Sequence, residues 1–251
     1  MTLDTMKCEG CEVAARFEDA QGKLFPDEFI PIILELELTW EFTEIIIAKA
    51  LKELTPLLAR RPNFKVGVNF FQADLDDERI QTVIRSPVFE TATQAKISLS
   101  CEILETGIGT GTSIAKSLEY LRSIGCQIAI DDFGTGYSNL AQIKALNPDL
   151  VKIDKIFIDD LGTQSESARG VFVHAILGIA DAHGMKVCAE GVETAEQLAL
   201  LKTQNVDFAQ GYYFARPMPI HDFALYLLDQ SLQHKMPTTG RLPKLKSAAL
   251  V

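Results

Sequence analysis

Asp131 and Asp132 stand side by side at the end of the apolar, β-forming run Ile128-Ala129-Ile130 and are followed at once by Phe133-Gly134-Thr135-Gly136. An ionised carboxylate taken out of water needs a cation or several donors to hold it. A pair at a strand end therefore points to a metal site before it points to architecture. Similar residues recur along the chain: Glu12, Asn69, Glu102, Lys152 with Asp154, Glu190 with Glu193, and Gln210 each lie in or at the end of a short β-like run. Carboxylates with an Asn carbonyl, and no His or Cys among them, form a hard oxygen set suited to Mg2+ or Mn2+ rather than to zinc. Successive strand residues point to opposite faces, so Asp131 and Asp132 converge only if the backbone turns, which the Phe133–Gly136 stretch permits. Two ions about 3.5 to 4 Å apart clamp the attacking and leaving oxygens of an in-line phosphoryl displacement and lower the pKa of a bound water. Lys152 can then orient that water or stabilise developing negative charge.

The elements that must position these residues alternate between short β-like runs and amphipathic stretches, the pattern of a parallel sheet with crossover helices. The strand candidates are CEVAARF, FKVGVNFF, AKISLSCEIL, CQIAIDDF, DLVKIDKIFI, MKVCAEGVE and FAQGYYF. Helix candidates lie between them, with stop signals at Gly125, Asn147, Gly184 and Asn205. In a (β/α)8 barrel, catalytic residues sit at the C-terminal ends of the strands, where these polar residues fall. Seven strand candidates are one short of closure. Either the first strand lies within Met1–Lys7, or it belongs to sequence outside this chain, and a partner or a displaced segment fills the gap. No Pro-, Gly- or Ser-rich linker divides the pattern, so the expected organisation is one domain over residues 1–232 and a basic, mobile tail over 233–251.

The chain of 251 residues is 47% hydrophobic and 23% charged with a formal net charge of -10. That balance excludes a protein that coats a nucleic-acid polymer, which needs clustered Lys and Arg. It remains compatible with a small anionic ligand held through metal. No run approaches the roughly 18 apolar residues of a membrane span, and no signal peptide is visible. The five cysteines are an odd number for a disulfide framework, which suggests a reducing, cytoplasmic setting. Cys8 and Cys11 have half a zinc site's spacing without a second half, and apolar filler is the expected role. His174, His183, His221 and His234 lie outside the motifs.

At the level of motifs the chain resembles the EAL-type phosphodiesterase domain, which hydrolyses the bacterial second messenger cyclic di-GMP to linear pGpG. DDFGTGYSNL, DLVKID, AEGVET, QGYYFARPMP and PDEFIP all match that family's segments, over roughly Cys11 to Leu228. The resemblance implies a TIM-like (β/α)8 barrel of the EAL type short of its first strand, and a two-ion Mg2+ or Mn2+ centre. It implies that Glu12, Asn69, Glu102 and Asp131 hold one ion and that Asp131, Asp132 and Glu190 hold the other. Lys152 would contact the nucleophilic water, with Glu190 also catalytic. Arg16 would meet a ligand phosphate, and Asp154, Glu193 and Gln210 would complete the binding shell. Glu105 would brace the DDFGTG loop, which in this family couples dimer contacts to metal binding. A homodimer is implied too, and sensory or GGDEF-type cyclase domains are frequent upstream neighbours in the family.

Four departures from the family pattern stand out. The founding Glu-Ala-Leu reads Glu12-Val13-Ala14, and loss of a buried Leu weakens nucleotide binding by up to about 1.5 to 3 kcal/mol. Leu104 replaces a usual Thr beside Glu105. The usual Ala-Glu-Glu and Gly after PDEFIP reads Ile33-Leu34-Glu35-Leu36-Glu37, for which packing against the barrel is expected over a partner surface. The opening strand with its Gln-Pro-Ile element is not recognisable before Cys8. The alternative to an enzyme is a receptor for cyclic di-GMP or a protein-interaction module without turnover.

Overall fold

The computed structural model describes residues 1–20, 22–77, 79–80, 87–105, 112–135, 143, 146–159, 161 and 166–233. Its strands are β1 (Gly10–Glu12), β2 (Phe17–Asp19), β3 (Gly22–Leu24), β4 (Lys65–Phe70), β5 (Ser98–Leu104), β6 (Gln127–Phe133), β7 (Leu150–Ile153), β8 (Lys186–Ala189) and β9 (Phe208–Ala209). The described helices are α1 (Pro26–Glu35), α2 (Thr39–Leu58), α3 (Gln72–Asp76), α4 (Pro87–Gln94), α5 (Thr112–Ser123), α6 (Lys155–Ile158), α7 (Glu166–His183), α8 (Ala195–Thr203) and α9 (Ile220–Gln233). The chain divides into a compact unit, Met1–Ala215, and a second unit, Arg216–Val251, of which α9 is the described helix. Parts of the helix candidates that follow β4 and β6, and the expected tail over 233–251 beyond its first residue, lie outside the described residues. No described helix is long and apolar enough to cross a membrane.

Seven strands form one parallel sheet in the order β1-β4-β5-β6-β7-β8-β9. Their sequences are apolar on both faces because helices cover a parallel sheet. Val66, Val68, Cys101, Ile103, Ile128, Ile130, Val151 and Ile153 are all buried accordingly. The first strand candidate does not run unbroken: β1 ends at Glu12, and Phe17 begins a separate antiparallel hairpin, β2–β3. No strand forms within Met1–Lys7, and the sheet keeps seven strands, but the first residues of the chain meet its last strand. Thr2 bridges Phe208 in antiparallel sense, Leu3 N–H donates to the Asp207 carbonyl at 3.0 Å, and Ala209 N–H donates to the Met1 carbonyl at 2.9 Å. Residues 1–3 thus cover the outer edge of β9, which shields backbone that an open sheet leaves unpaired.

The four stop signals at Gly125, Asn147, Gly184 and Asn205 all have positive φ, as αL helix caps require. A fifth such residue, Glu37 at φ +54°, ends α1 in a Schellman arrangement. Its N–H donates to the Leu34 carbonyl at 3.2 Å, and the Leu38 N–H donates to the Ile33 carbonyl at 3.0 Å. A β-carbon in αL costs about 1 kcal/mol. Glu37→Gly is therefore expected to raise the thermal unfolding midpoint by about 2–4 °C, a shift that differential scanning calorimetry measures.

The segment after PDEFIP departs from the expected barrel-side packing. Phe29 is buried on α1 and Trp40, Ile47, Leu51, Leu54 and Leu58 on α2, but Ile32, Leu34, Leu36 and Leu38 are exposed. The physical reason is geometric: α1 is one short helix with one inward face, and Phe29 fills it, packed in tilted contact between Phe17 and Phe42 with ring centroids at 6.5 and 5.7 Å.

Candidate metal centre

The parallel register brings one polar side chain from each successive strand to the same end of the sheet. Glu12 on β1 lies opposite Gly67 on β4, and Asn69 on β4 lies opposite Glu102 on β5. Asp131 follows on β6 and Lys152 on β7, while Glu190 and Gln210 come directly after β8 and β9. Lys152 is the centre of the constellation. Its side chain is 2% exposed, and its Nζ lies 3.1 Å from Glu12 Oε2, 2.9 Å from Glu102 Oε2, 3.0 Å from Asp131 Oδ2 and 2.7 Å from Glu190 Oε1. Around this core Asn69 Nδ2 donates to Glu12 Oε1 at 3.0 Å, and Gln210 Nε2 donates to Glu12 Oε2 at 2.9 Å and to Glu190 Oε1 at 2.6 Å.

Asp131 and Asp132 converge through the turn that the alternation of strand side chains demands. The turning residue is Asp132 itself, at φ +53°, and the β6–β7 register shifts between Ile130 and Phe133. A non-glycine residue in αL costs energy, and a bulge re-aims side chains next to active sites. The corner is braced by Glu105, whose Oε2 accepts from the Gly134 N–H at 2.9 Å. This bond forms although Leu104, whose side chain is exposed, replaces the usual Thr.

Oxygens of Glu12, Glu102 and Asp131 lie within 4.8 Å of one another, and so do those of Asp131, Asp132 and Glu190. Asp131 belongs to both groups. Five carboxylates thus face one ammonium, a surplus of negative charge in a largely buried place. Burial above all pushes Glu102 up to about 7, since Lys152 offsets only part of that cost and Glu12 and Asp131 add to it. Glu190 and Asp132 are raised by the same burial and by Asp131. Burial would lower Lys152, but the four acids overcome it and hold the ammonium well above its ordinary value. Glu12, at the open side, is the exception: burial is outweighed by Lys152 and by donors from Gln210 and Asn69, and its carboxyl is lowered. One cation shared among four acids strengthens the cation and leaves Glu102 and Glu190 undercompensated. Every candidate ligand is an oxygen, and Asn69, donating through Nδ2, keeps its Oδ1 as a further acceptor. The set fits hard divalent ions and supplies no soft donors for zinc.

Of the remaining candidates, Asp154 touches this cluster and no contact to it is seen for Glu193 or Arg16 among the described residues. Asp154 caps α6, accepting from the Ile156 N–H at 2.8 Å, and its carboxyl meets that of Asp132. Glu193 turns to Lys155 at 3.2 Å. Arg16 donates to its neighbour's carbonyl and stacks on Phe25, 5.4 Å from the ring centroid.

Sequence reasoning missed Gly67. A β-carbon there would lie 2.1 Å from Glu102 Oε1 and 2.7 Å from its Cδ, so the glycine is the space into which that carboxylate folds. The available signal was an isolated glycine inside the strand pattern KVGVNFF, which marks close approach of another group. Gly67→Ala is expected to displace Glu102, cost about 1–3 kcal/mol of stability and weaken divalent-metal binding by about 10–100-fold. Titration calorimetry with Mn2+ reads that loss directly.

The EAL domain family model matches residues 1–217. The probable cyclic di-GMP phosphodiesterase PdeA of Escherichia coli is 35% identical over 215 residues, covering 84% of this chain and 29% of that protein. The cyclic di-GMP phosphodiesterase NbdA of Pseudomonas aeruginosa is 34% identical over 202 residues, covering 80% of this chain and 25% of that protein. The chain therefore spans less than a third of the length of either relative. Among solved structures, the EAL enzyme Bd1971 in its cAMP- and cyclic di-GMP-bound form superposes with a TM-score of 0.80 at 25% identity, covering 90% of this chain and 62% of that one.

Proposed function

The chain belongs to the EAL domain family, and from that premise we propose that it is a metal-dependent phosphodiesterase that hydrolyses cyclic di-GMP to linear pGpG by in-line attack of water. The observation that carries this reading is the pair of acid triads sharing Asp131 around a buried lysine. Glu12, Asn69, Glu102 and Asp131 would hold one Mg2+ or Mn2+ ion, and Asp131, Asp132 and Glu190 a second. Bound there, the ions would polarise the phosphodiester and lower the pKa of a bound water.

The protein's own groups do the rest. The Lys152 ammonium, fixed by four carboxylates, stabilises negative charge on the attacking oxygen without reorganising. Glu190 pairs with Lys152 and belongs to the second triad, which suits it to ligate an ion and to take up the proton that the water releases. Gln210 ties Glu190 to Glu12, so the two triads keep their spacing. Arg16 lies four residues beyond Glu12 and would leave its stack on Phe25 to meet a ligand phosphate, while Asp154 and Glu193 hold the corners beside α6. Glu105, through Gly134, would transmit homodimer contacts to Asp131 and Asp132.

Incubating the purified chain with cyclic di-GMP and Mg2+ or Mn2+ tests the reading: linear pGpG accumulates, and EDTA abolishes it. A second reading, a receptor without turnover, draws on Ala14, a small exposed residue where the family's Leu would contact nucleotide. Saturable cyclic di-GMP uptake with no linear product under either metal selects that reading instead.

A further inference from the structure

Between Lys23 and Lys49 the sequence carries six acids, Asp27, Glu28, Glu35, Glu37, Glu41 and Glu44, and no Lys, Arg or His. The end of α1 and the turn after it expose Ile32, Leu34, Leu36 and Leu38 at 53, 51, 59 and 43%. Three local preferences are broken together here. Acidic side chains sit at a helix C-terminus, where the backbone dipole is already negative and where α1 has no basic residue in its last turn. Glu37 adopts the αL conformation that favours glycine. Four large aliphatic side chains stand in water in one continuous stretch, although exposed apolar patches of this kind mark interaction sites.

Glu41 pairs with Arg79 at 2.6 Å, but among the described residues no cation compensates the acids at the end of α1. Glu35 and Glu37 form no ion pair with any described residue. Sequences break local rules without internal compensation mainly where function requires it. We propose that this face is a docking surface for a partner protein that presents a basic amphipathic helix. Ile32 and Leu36, one turn apart, offer the apolar ridge, and Glu35 and Glu37 offer the complementary charge. A basic helix would neutralise the acids and the helix end together while covering the aliphatic side chains. A second copy of the same face would bring acid against acid, and an anionic lipid surface would be repelled.

The test uses the full chain and two synthetic peptides, an amphipathic Lys/Leu helix and a Glu/Leu counterpart of the same length, followed by fluorescence anisotropy. The Lys/Leu peptide is expected to bind and the Glu/Leu peptide to fail. Ile32→Ser with Leu36→Ser, and separately Glu35→Lys with Glu37→Lys, each weaken binding at least tenfold. Val171→Ser, an exposed aliphatic position on α7, leaves binding unchanged. Glu37→Gly separates the two roles of that residue, raising the unfolding midpoint while weakening the peptide. Circular dichroism of the variants keeps loss of fold apart from loss of binding. Absence of binding, or binding equally weakened by Val171→Ser or indifferent to the α1 substitutions, overturns the proposal. So does self-association in sedimentation that the serine pair abolishes. None of these outcomes depends on phosphodiesterase activity.

Discussion

Lys152→Met is expected to lower cyclic di-GMP turnover by about 10^2–10^4-fold and, without divalent metal, to cost about 3–5 kcal/mol of stability. Methionine keeps the length of the side chain and removes the charge, so packing changes little. What changes is the environment of Glu12, Glu102, Asp131 and Glu190, all within 3.1 Å of the ammonium in the native chain. Removing one partner from a buried ion cluster leaves the others uncompensated, the costly direction of change. The unfolding midpoint in EDTA should fall by roughly 10 °C or more. A divalent ion is then the only strong cation available to the acids, so added Mn2+ should raise the midpoint of the variant more than that of the native chain. Rescue of stability without rescue of turnover separates the two roles of Lys152. Unchanged pGpG release in the variant removes lysine from the mechanism, and an unchanged midpoint in EDTA removes it from the centre of the cluster.

The centre was legible in the sequence because a parallel strand is apolar on both faces. Glu102 in SLSCEIL, Asp131 in IAIDDF and Lys152 in LVKI interrupt otherwise unbroken hydrophobic runs, and the interruption recurs near the same end of each strand. Less legible was anything depending on what lies across space. Gly67 reads as a weak point in a strand until Glu102 is seen folded against it. The turn at the two aspartates was expected from the glycines that follow, but Asp132 itself takes the αL conformation. Residues 1–3 are too short to show strand periodicity, yet they cover the edge of β9 through three backbone hydrogen bonds and a bridge to Phe208. The apolar run after PDEFIP misled in the opposite sense. Hydrophobicity says that a face is unsuited to water without saying what covers it, and on α1 the inward positions were already taken by Phe29.

That distinction ties stability to specificity at α1. Glycine in place of Glu37 relieves the αL backbone and removes one acid from a helix end that tolerates acids poorly, so both effects stabilise the isolated chain. Glu there is a local loss within the chain, and docking of the proposed basic helix would offset it, in keeping with the common opposition between stability and function.

The same reasoning, carried to the acids, gives opposite pH dependences for the metal-free and metal-loaded protein. Glu102 is raised from 4.5 to about 7 by burial, and Glu190 and Asp132 are raised for the same cause. A carboxylate whose pKa is higher folded than unfolded binds more protons in the folded state over that interval, so stability falls as pH rises through it. Metal-free protein is therefore expected to be more stable near pH 5 than near pH 8.5, with Glu102 alone accounting for about 3 kcal/mol. Lys152, raised above its ordinary value, stays charged across this window and contributes a constant amount. Glu12, lowered below 4.5, contributes stability that is lost only at more acid pH. Divalent metal reverses the slope, because protons compete with the ion for the same oxygens. Thermal scans across this range in EDTA and in excess Mn2+ should diverge, the gap between the curves widening toward alkaline pH by roughly 5–10 °C. Parallel curves would mean that the acids of the two triads are not the metal ligands, whatever the fate of the turnover assay.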